Sequence, residues 1–237
     1  MTAMPADPAP DDSRALRDRV IAAAREMNRS GINVNKSGNV SARCSRGGIA
    51  GLIITPTGID YDALGPDDLV FVRLDDGGCS GRWKPSSEWR FHRDILRSRP
   101  EFGAVVHTHS PAATALAVHG QGIPAFHYMV AAAGGDNIRC AEYATFGTQA
   151  LSDRALAALA GRRACLLAHH GVISCGPAVA DALALAVEVE NLARTYLAAR
   201  VLGEPPRLST AEMQRVIKKF RDYGQVDSGG ASSADEP

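Results

Sequence analysis

From Asp12 to Gly31 the chain carries apolar residues at Leu16, Val20, Ile21, Ala24 and Met27, with charged residues between them. This is the spacing of a helix with one face on a core. Asp12 or Ser13 is placed to cap its first turn and Gly31 to stop it. The rhythm then shortens. GNVSAR, GLIITPTG and DLVFVRLDD are short apolar or alternating runs bounded by Gly and Pro, which predicts β segments. SSEWRFHRDILRS returns to a helical pattern. GAVVHTH reads as a buried strand leading into a helix capped by Ser110, with Pro111 at its first position. LSDRALAALA predicts a further helix, ACLLAHHGVIS two strand pieces around a turn, and AVADALALAVEVENLARTYLAARVL a long helix; the segment from Thr210 to Arg221 predicts another. Strands and helices alternate irregularly, so the class is α/β or α+β around one central sheet. MTAMPADPAPDD and QVDSGGASSADEP have no apolar periodicity and are rich in Pro, Gly, Ser and Asp. Residues 1–12 and 225–237 are therefore expected to be disordered tails on a single domain spanning 13–224.

Composition narrows the function class. With 237 residues, 45% hydrophobic, 22% charged and a formal net charge of zero, the chain has material for one sizeable core. It offers no electrostatic case for a nucleic-acid or membrane partner. No apolar run approaches the ~20 residues of a membrane span. The segment MTAMPADPAPDDS has neither a basic start nor an apolar centre, so it is not read as a signal peptide. Cys44, Cys79, Cys140, Cys165 and Cys175 are odd in number and form no CxxC pair, which fits reduced thiols in a cytoplasm.

The candidate chemistry begins in GAVVHTHS. Side chains alternate along a strand, so His107 and His109 share a face and can present two imidazoles to one metal ion. ACLLAHH ends in His169 and His170 before a glycine turn, and one of them can face the same pocket. Three histidines would leave positions open for substrate, as in a catalytic zinc site; manganese, iron and cobalt also suit imidazole. In KPSSEWRFH, Ser86 and Ser87 with the free amides of a starting helix make an anion site, while Ser86 alone would serve as a cap. Glu88 is placed in the same first turn as a dipole-stabilising acid or a general acid/base. His92, one helical turn on, reads as structural. SGNVSAR and TPTG have the Gly, Ser, Thr and Asn content that lets backbone amides approach a phosphate.

SGNVSAR, ITPTGIDY, PSSEWRFH, VVHTHS, IPAFHYMVAAAGG, YATFGT, AHHGV and KKFRDYG, in this order, resemble the class II aldolase and adducin-head family, in particular its bacterial branch acting on L-fuculose 1-phosphate. The likeness runs from about Leu16 to Gly224. It implies a three-layer α/β/α fold with a largely antiparallel sheet, and a cyclic homotetramer with zinc sites between adjacent subunits. By motif, His107, His109 and His170 match the zinc ligands, Glu88 the catalytic acid/base, and Asn39, Gly58, Ser86 and Ser87 phosphate-binding positions. Tyr128 matches a tyrosine that a neighbouring subunit contributes, while Phe146 and Tyr223 match the aldehyde side of the cleft. NKSGN departs from the family pattern, with Lys36 and Ser37 in place of a Gly-Thr-Ala-like segment; the lysine supplies a cation where a threonine hydroxyl is lost.

The resemblance implies reversible cleavage of a ketose 1-phosphate into dihydroxyacetone phosphate and a small aldehyde such as L-lactaldehyde. Aldolases for 5-deoxyribulose or 5-methylthioribulose 1-phosphate resemble the same subgroup. A methyl or thioether difference in an apolar pocket is worth only ~1–3 kcal/mol, so sequence does not separate them. A Schiff-base aldolase needs a desolvated lysine, and Lys36, Lys84, Lys218 and Lys219 are the lysines available. A pentulose-phosphate 4-epimerase would have Ser-Ser-Asp where this chain has Ser-Ser-Glu. A non-catalytic adducin-like module has no use for three metal-competent histidines beside Glu88.

Overall fold

A computed structural model describes residues 9–221. In chain order the elements are α1 (Arg14–Arg29), β1 (Asn39–Arg46), β2 (Ile49–Ile54), β3 (Val70–Arg73), β4 (Cys79–Ser80), α2 (Trp89–Ser98), β5 (Ala104–Thr108), α3 (Pro111–Val118), β6 (Arg139–Ala141), α4 (Gln149–Ala158), β7 (Ala164–Leu167), β8 (Gly171–Gly176), α5 (Val179–Arg200) and α6 (Thr210–Arg221), with a 3-10 segment over Tyr128–Ala133. The strands form one sheet in the order β4-β3-β2-β1-β5-β8-β7-β6. Its pairs are antiparallel except β6 with β7, which is parallel.

The alternation of the strands divides the core into two layers. Val40, Ile53, Phe71, Ala104 and Val106 face α1 and α5. Their neighbours Leu52, Ile54, Val70, Val72 and Val105 face the other way, against Phe91, Ile95 and Leu96 of α2 and Leu151 and Ala155 of α4. On the first side α3, α5 and α6 pack over Ala164, Leu166 and Val172. The result is the expected α/β/α sandwich with a largely antiparallel sheet. Each fully buried Leu, Ile or Phe contributes about 1.5–3 kcal/mol, so the two apolar layers hold the sheet between its helices.

One local alternative is decided and two expectations change. Ser13, not Asp12, caps α1, its side chain accepting from the Leu16 amide, while Asp12 receives Arg17 and Arg46 in ion pairs at 2.7 and 2.5 Å. The inner end of the expected N-terminal tail is also pinned: the Pro10 carbonyl accepts from Ser45 N and Asp12 N donates to Ser45 O, each at 2.8 Å. Helix α2 begins at Trp89, so Ser86 and Ser87 lie in the turn before it and Glu88 is its N-cap residue. That turn is tied to the end of β2 by Ser86 N donating to Thr55 O at 3.0 Å and by a bridge between Pro56 and Pro85.

Candidate metal centre

The centre is assembled on the α2 side of the sheet by register. Asn39 of β1 lies opposite His107 of β5, and Ser41 opposite Val105, so Asn39, Ser41 and His107 share a face. His109 follows two residues after His107. His170 comes from the turn between β7 and β8. ACLLAHH was expected to stay extended into its histidines, but β7 stops at Leu167 and His169 is left-handed, with φ of 55°. A non-glycine residue held there costs on the order of 1–3 kcal/mol. The kink places His170 beside the other two imidazoles and sends His169 to the exposed rim.

His107, His109, His170 and Glu88 each offer one ligand atom, and these atoms all lie within 4.8 Å of one another. Nε2 of His107 is 3.0 Å from Nε2 of His109. Glu88 has Oε2 at 3.1 Å from His107 Nε2 and Oε1 at 3.1 Å from His170 Nε2. The rings meet edge to face with centroids 4.9 to 5.0 Å apart, which converges nitrogens instead of stacking rings. His107 Nδ1 donates to the Val172 carbonyl at 2.8 Å, so its neutral ring carries no proton on Nε2. A bare Nε2 lone pair then faces a second imidazole nitrogen and a carboxylate. A cation resolves this crowding of donors, and the set of three imidazoles and a carboxylate fits a divalent transition metal.

Electrostatics agree with a ligand set. Burial alone would raise the Glu88 pKa, but the charges and hydrogen bonds of His107 and His170 outweigh it and hold the carboxyl far below its usual range. Burial, then the neighbouring His107 and His170, lower His109 to about 3 and keep it a neutral donor. Burial would lower His107, yet Glu88 beside it raises the ring above its ordinary value.

Behind the centre, Asn39 Nδ2 donates to Glu88 Oε2 at 3.1 Å, and Asn39 Oδ1 contacts His92 Nε2. Asn39 was expected at the phosphate; its carboxamide is instead engaged by Glu88 and His92, and the residue is buried. In front lies a cavity of about 350 Å³ lined by Lys36, Ser87, Tyr143, Phe146 and His169 together with Glu88, His109 and His170 of the cluster. Lys36 is solvent-exposed and its Nζ donates at 2.9 Å to the carbonyl of Gly58, itself left-handed at φ 73°. The two loops read as phosphate-binding are thus joined, with the ammonium on the cavity wall. Ser86 is buried, its Oγ accepting from Glu88 N at 3.3 Å. Tyr128 lies elsewhere, half exposed beside Met129 and Phe220. Tyr223 is outside the described residues. Sequence reasoning missed Tyr143 and weighed His169 only as a possible third imidazole; their rings meet edge to face at 5.9 Å on the rim.

The class II aldolase and adducin N-terminal domain pattern matches residues 18–197. The chain belongs to this family. A 5-methylthioribulose-1-phosphate/5-deoxyribulose-1-phosphate aldolase of Rhodospirillum rubrum is 52% identical over 215 residues, 91% of this chain and 95% of that protein. An L-fuculose phosphate aldolase of Escherichia coli K12 is 46% identical over 211 residues, 88% of this chain and 95% of the relative. A solved L-fuculose 1-phosphate aldolase superposes with a TM-score of 0.84 at 35% identity, covering 88% of this chain and 97% of its own. Within the family, this chain is therefore a lyase of the class II aldolase type and not an adducin-like module. Among the described residues, no helix is long and apolar enough to cross a membrane.

Proposed function

We propose that the protein reversibly cleaves a ketose 1-phosphate into dihydroxyacetone phosphate and a small aldehyde, with L-fuculose 1-phosphate and L-lactaldehyde as the reference pair. The observation that carries this is the convergence of three imidazoles and Glu88 in one cluster, of which Glu88, His109 and His170 line a cavity shared with Lys36 and Ser87. His107, His109 and His170 are the metal ligands, and zinc is the metal their donor set suits best, with manganese, iron and cobalt compatible. A divalent ion held there supplies a Lewis acid for the negative charge that develops on the three-carbon phosphate as the C3–C4 bond breaks. Glu88 moves the proton at C3. Lys36, Ser86, Ser87 and the Gly58 turn hold the phosphate, and Phe146 meets the aldehyde half. Glutamate at position 88, where the 4-epimerase branch has aspartate, supports cleavage over epimerisation. Lys36, exposed and bonded to a carbonyl, lacks the desolvation a Schiff-base lysine needs.

A second reading of the aldehyde half is favoured by the 52% identity to the Rhodospirillum rubrum aldolase: 5-deoxyribulose or 5-methylthioribulose 1-phosphate. A coupled assay of dihydroxyacetone phosphate release across fuculose, ribulose, 5-deoxyribulose and 5-methylthioribulose 1-phosphates separates the readings. No release from any of them by metal-replete protein overturns the proposal. The working form is a cytoplasmic homotetramer in which Tyr128 of a neighbouring copy protonates the aldehyde oxygen. Its place in a pocket that shares no residue with its own chain's cavity supports this. A fully active monomer in light scattering would contradict it.

A further inference from the structure

Ser41, His92, Asn39 and Glu88 form an unbroken hydrogen-bonded chain beneath α2. Two periodicities create it: Asn39 and Ser41 are two apart on β1, and Glu88 and His92 are four apart at the start of α2. Its polarity follows from its end. An ionised carboxylate only accepts, so Asn39 must turn its Nδ2 to Glu88 Oε2, at 3.1 Å. That leaves Asn39 Oδ1, also only an acceptor, facing His92 Nε2. His92 must therefore carry its proton on Nε2, and its bare Nδ1 accepts from the Ser41 hydroxyl at 2.7 Å. The ring is fully buried. Burial first, and the nearby His107 second, lower its pKa to about 3, so it stays neutral.

We infer that His92 is a positioning residue: by donating from Nε2 it fixes the orientation of the Asn39 carboxamide, which in turn pins Oε2 of Glu88. The two carboxylate oxygens are then unequal. Oε1 is buried, receives nothing from Asn39 and has His170 Nε2 at 3.1 Å on the metal-competent side, so it is the oxygen left to exchange the substrate proton. Without the His92 donor, Asn39 Oδ1 is left buried and unpaired, and the carboxamide loses the second anchor that holds its Nδ2 on Oε2. The inference rests on Glu88 acting as the base.

The test has two parts. In metal-free wild-type protein, long-range ¹H–¹⁵N correlation should show His92 as the Nε2–H tautomer, unchanged across neutral to mildly acidic pH. The Asn39 carboxamide protons should be protected from exchange. The Nδ1–H tautomer, or an unprotected carboxamide, overturns the inference. His92→Phe removes the donor, whereas His92→Gln keeps an N–H near the position of Nε2. The Phe variant should lose about 10- to 100-fold in kcat and in C3 proton exchange of dihydroxyacetone phosphate, with KM and metal content little changed, and the Gln variant should recover most of it. Wild-type exchange in folded His92→Phe, or equal losses in both variants, would overturn it. Should the Phe variant not fold, the wild-type tautomer and the Gln variant still decide. If wild type releases no dihydroxyacetone phosphate from any ketose 1-phosphate, the proposed function fails, and the tautomer and carboxamide readouts judge the positioning separately.

Discussion

Replacing Glu88 by Gln separates a base from a charge that merely completes the site. The carboxylate is 4% exposed. It has Asn39 Nδ2, His107 Nε2 and His170 Nε2 each at 3.1 Å. A donor to a charged group, as Asn39 is here, contributes about 1.5–3 kcal/mol, but the desolvation of a buried carboxylate is of the same several-kcal size. The amide has the same shape and keeps an oxygen for Asn39, so stability should change by no more than about 1 kcal/mol in either direction. Rate should behave differently, because an amide cannot take the C3 proton. Loss of a general base costs about 10²- to 10⁴-fold, or about 2.7–5.4 kcal/mol of barrier. The assay is deuterium incorporation at C3 of dihydroxyacetone phosphate in D₂O, followed by NMR alongside elemental metal analysis and a thermal melt. This half-reaction needs the base and no aldehyde. Exchange at the wild-type rate in a metal-replete Glu88→Gln protein refutes the assignment, and lost metal with lost exchange would make Glu88 a ligand first.

Three further outcomes follow from the same geometry. His107→Ala or His170→Ala should lose both bound metal and activity, and full metal content by elemental analysis in either variant would remove that histidine from the site. Gly171→Ala removes no ligand, yet the added Cβ presses into the Thr108 carbonyl and sits 2.9 Å from His109 Cδ2. Metal affinity measured by chelator competition should fall about 10- to 100-fold, and unchanged affinity would show that the β7–β8 turn can shift freely. Metal-free protein should lose thermal stability as pH falls from 6.5 to about 5, since burial, then His107, holds folded His92 at about 3 while the unfolded ring takes its proton near 6.5. His107, raised beside Glu88, contributes stability that is fully present below 6.5 and is lost only as pH rises, so it does not mask this slope. A flat melting temperature over that window, or an equal slope in His92→Phe, would refute it.

The parts of the fold legible in the sequence are those whose signal is local. Helices α1, α4, α5 and α6 follow from apolar spacing, and β1, β2, β3 and β5 from short apolar runs between Gly and Pro. Strands β4 and β6, of two and three residues, carry too little periodicity to register. β6 is a strand because it lies parallel to β7, a contact that no local pattern encodes. The same division holds at the site. His107 and His109 are legible together because a strand alternates with period two. The choice between His169 and His170 is not legible in that period and comes only from the family motif, since it depends on a left-handed kink at a residue that is not glycine. Asn39 shows the limit most clearly. Beside a glycine it reads as a phosphate contact, but the β1–β5 register sets it opposite His107 and gives its carboxamide to Glu88 and His92.

The division of labour in this site is therefore structural as well as chemical. The metal-competent atoms are held by paired strands, a kinked turn and a helix start, with Glu88 and His107 buried and hydrogen-bonded from behind and His109 and His170 half-buried beside them. The cavity walls come from loops: Lys36 and Ser37 on one segment, Tyr143 and Phe146 on another, with the exposed His169 against Tyr143. A buried donor cluster cannot shift by an ångström without leaving a carboxylate or an imidazole unpaired, which costs several kcal/mol. Exposed loop side chains repack at far smaller cost, and aldehydes differing by a methyl or a thioether differ by only ~1–3 kcal/mol in such a pocket. Changes among the wall residues are thus the ones able to move preference between aldehydes while metal binding and proton transfer persist. This accounts for how aldolases named for different ketose phosphates can share about half of their residues with one chain.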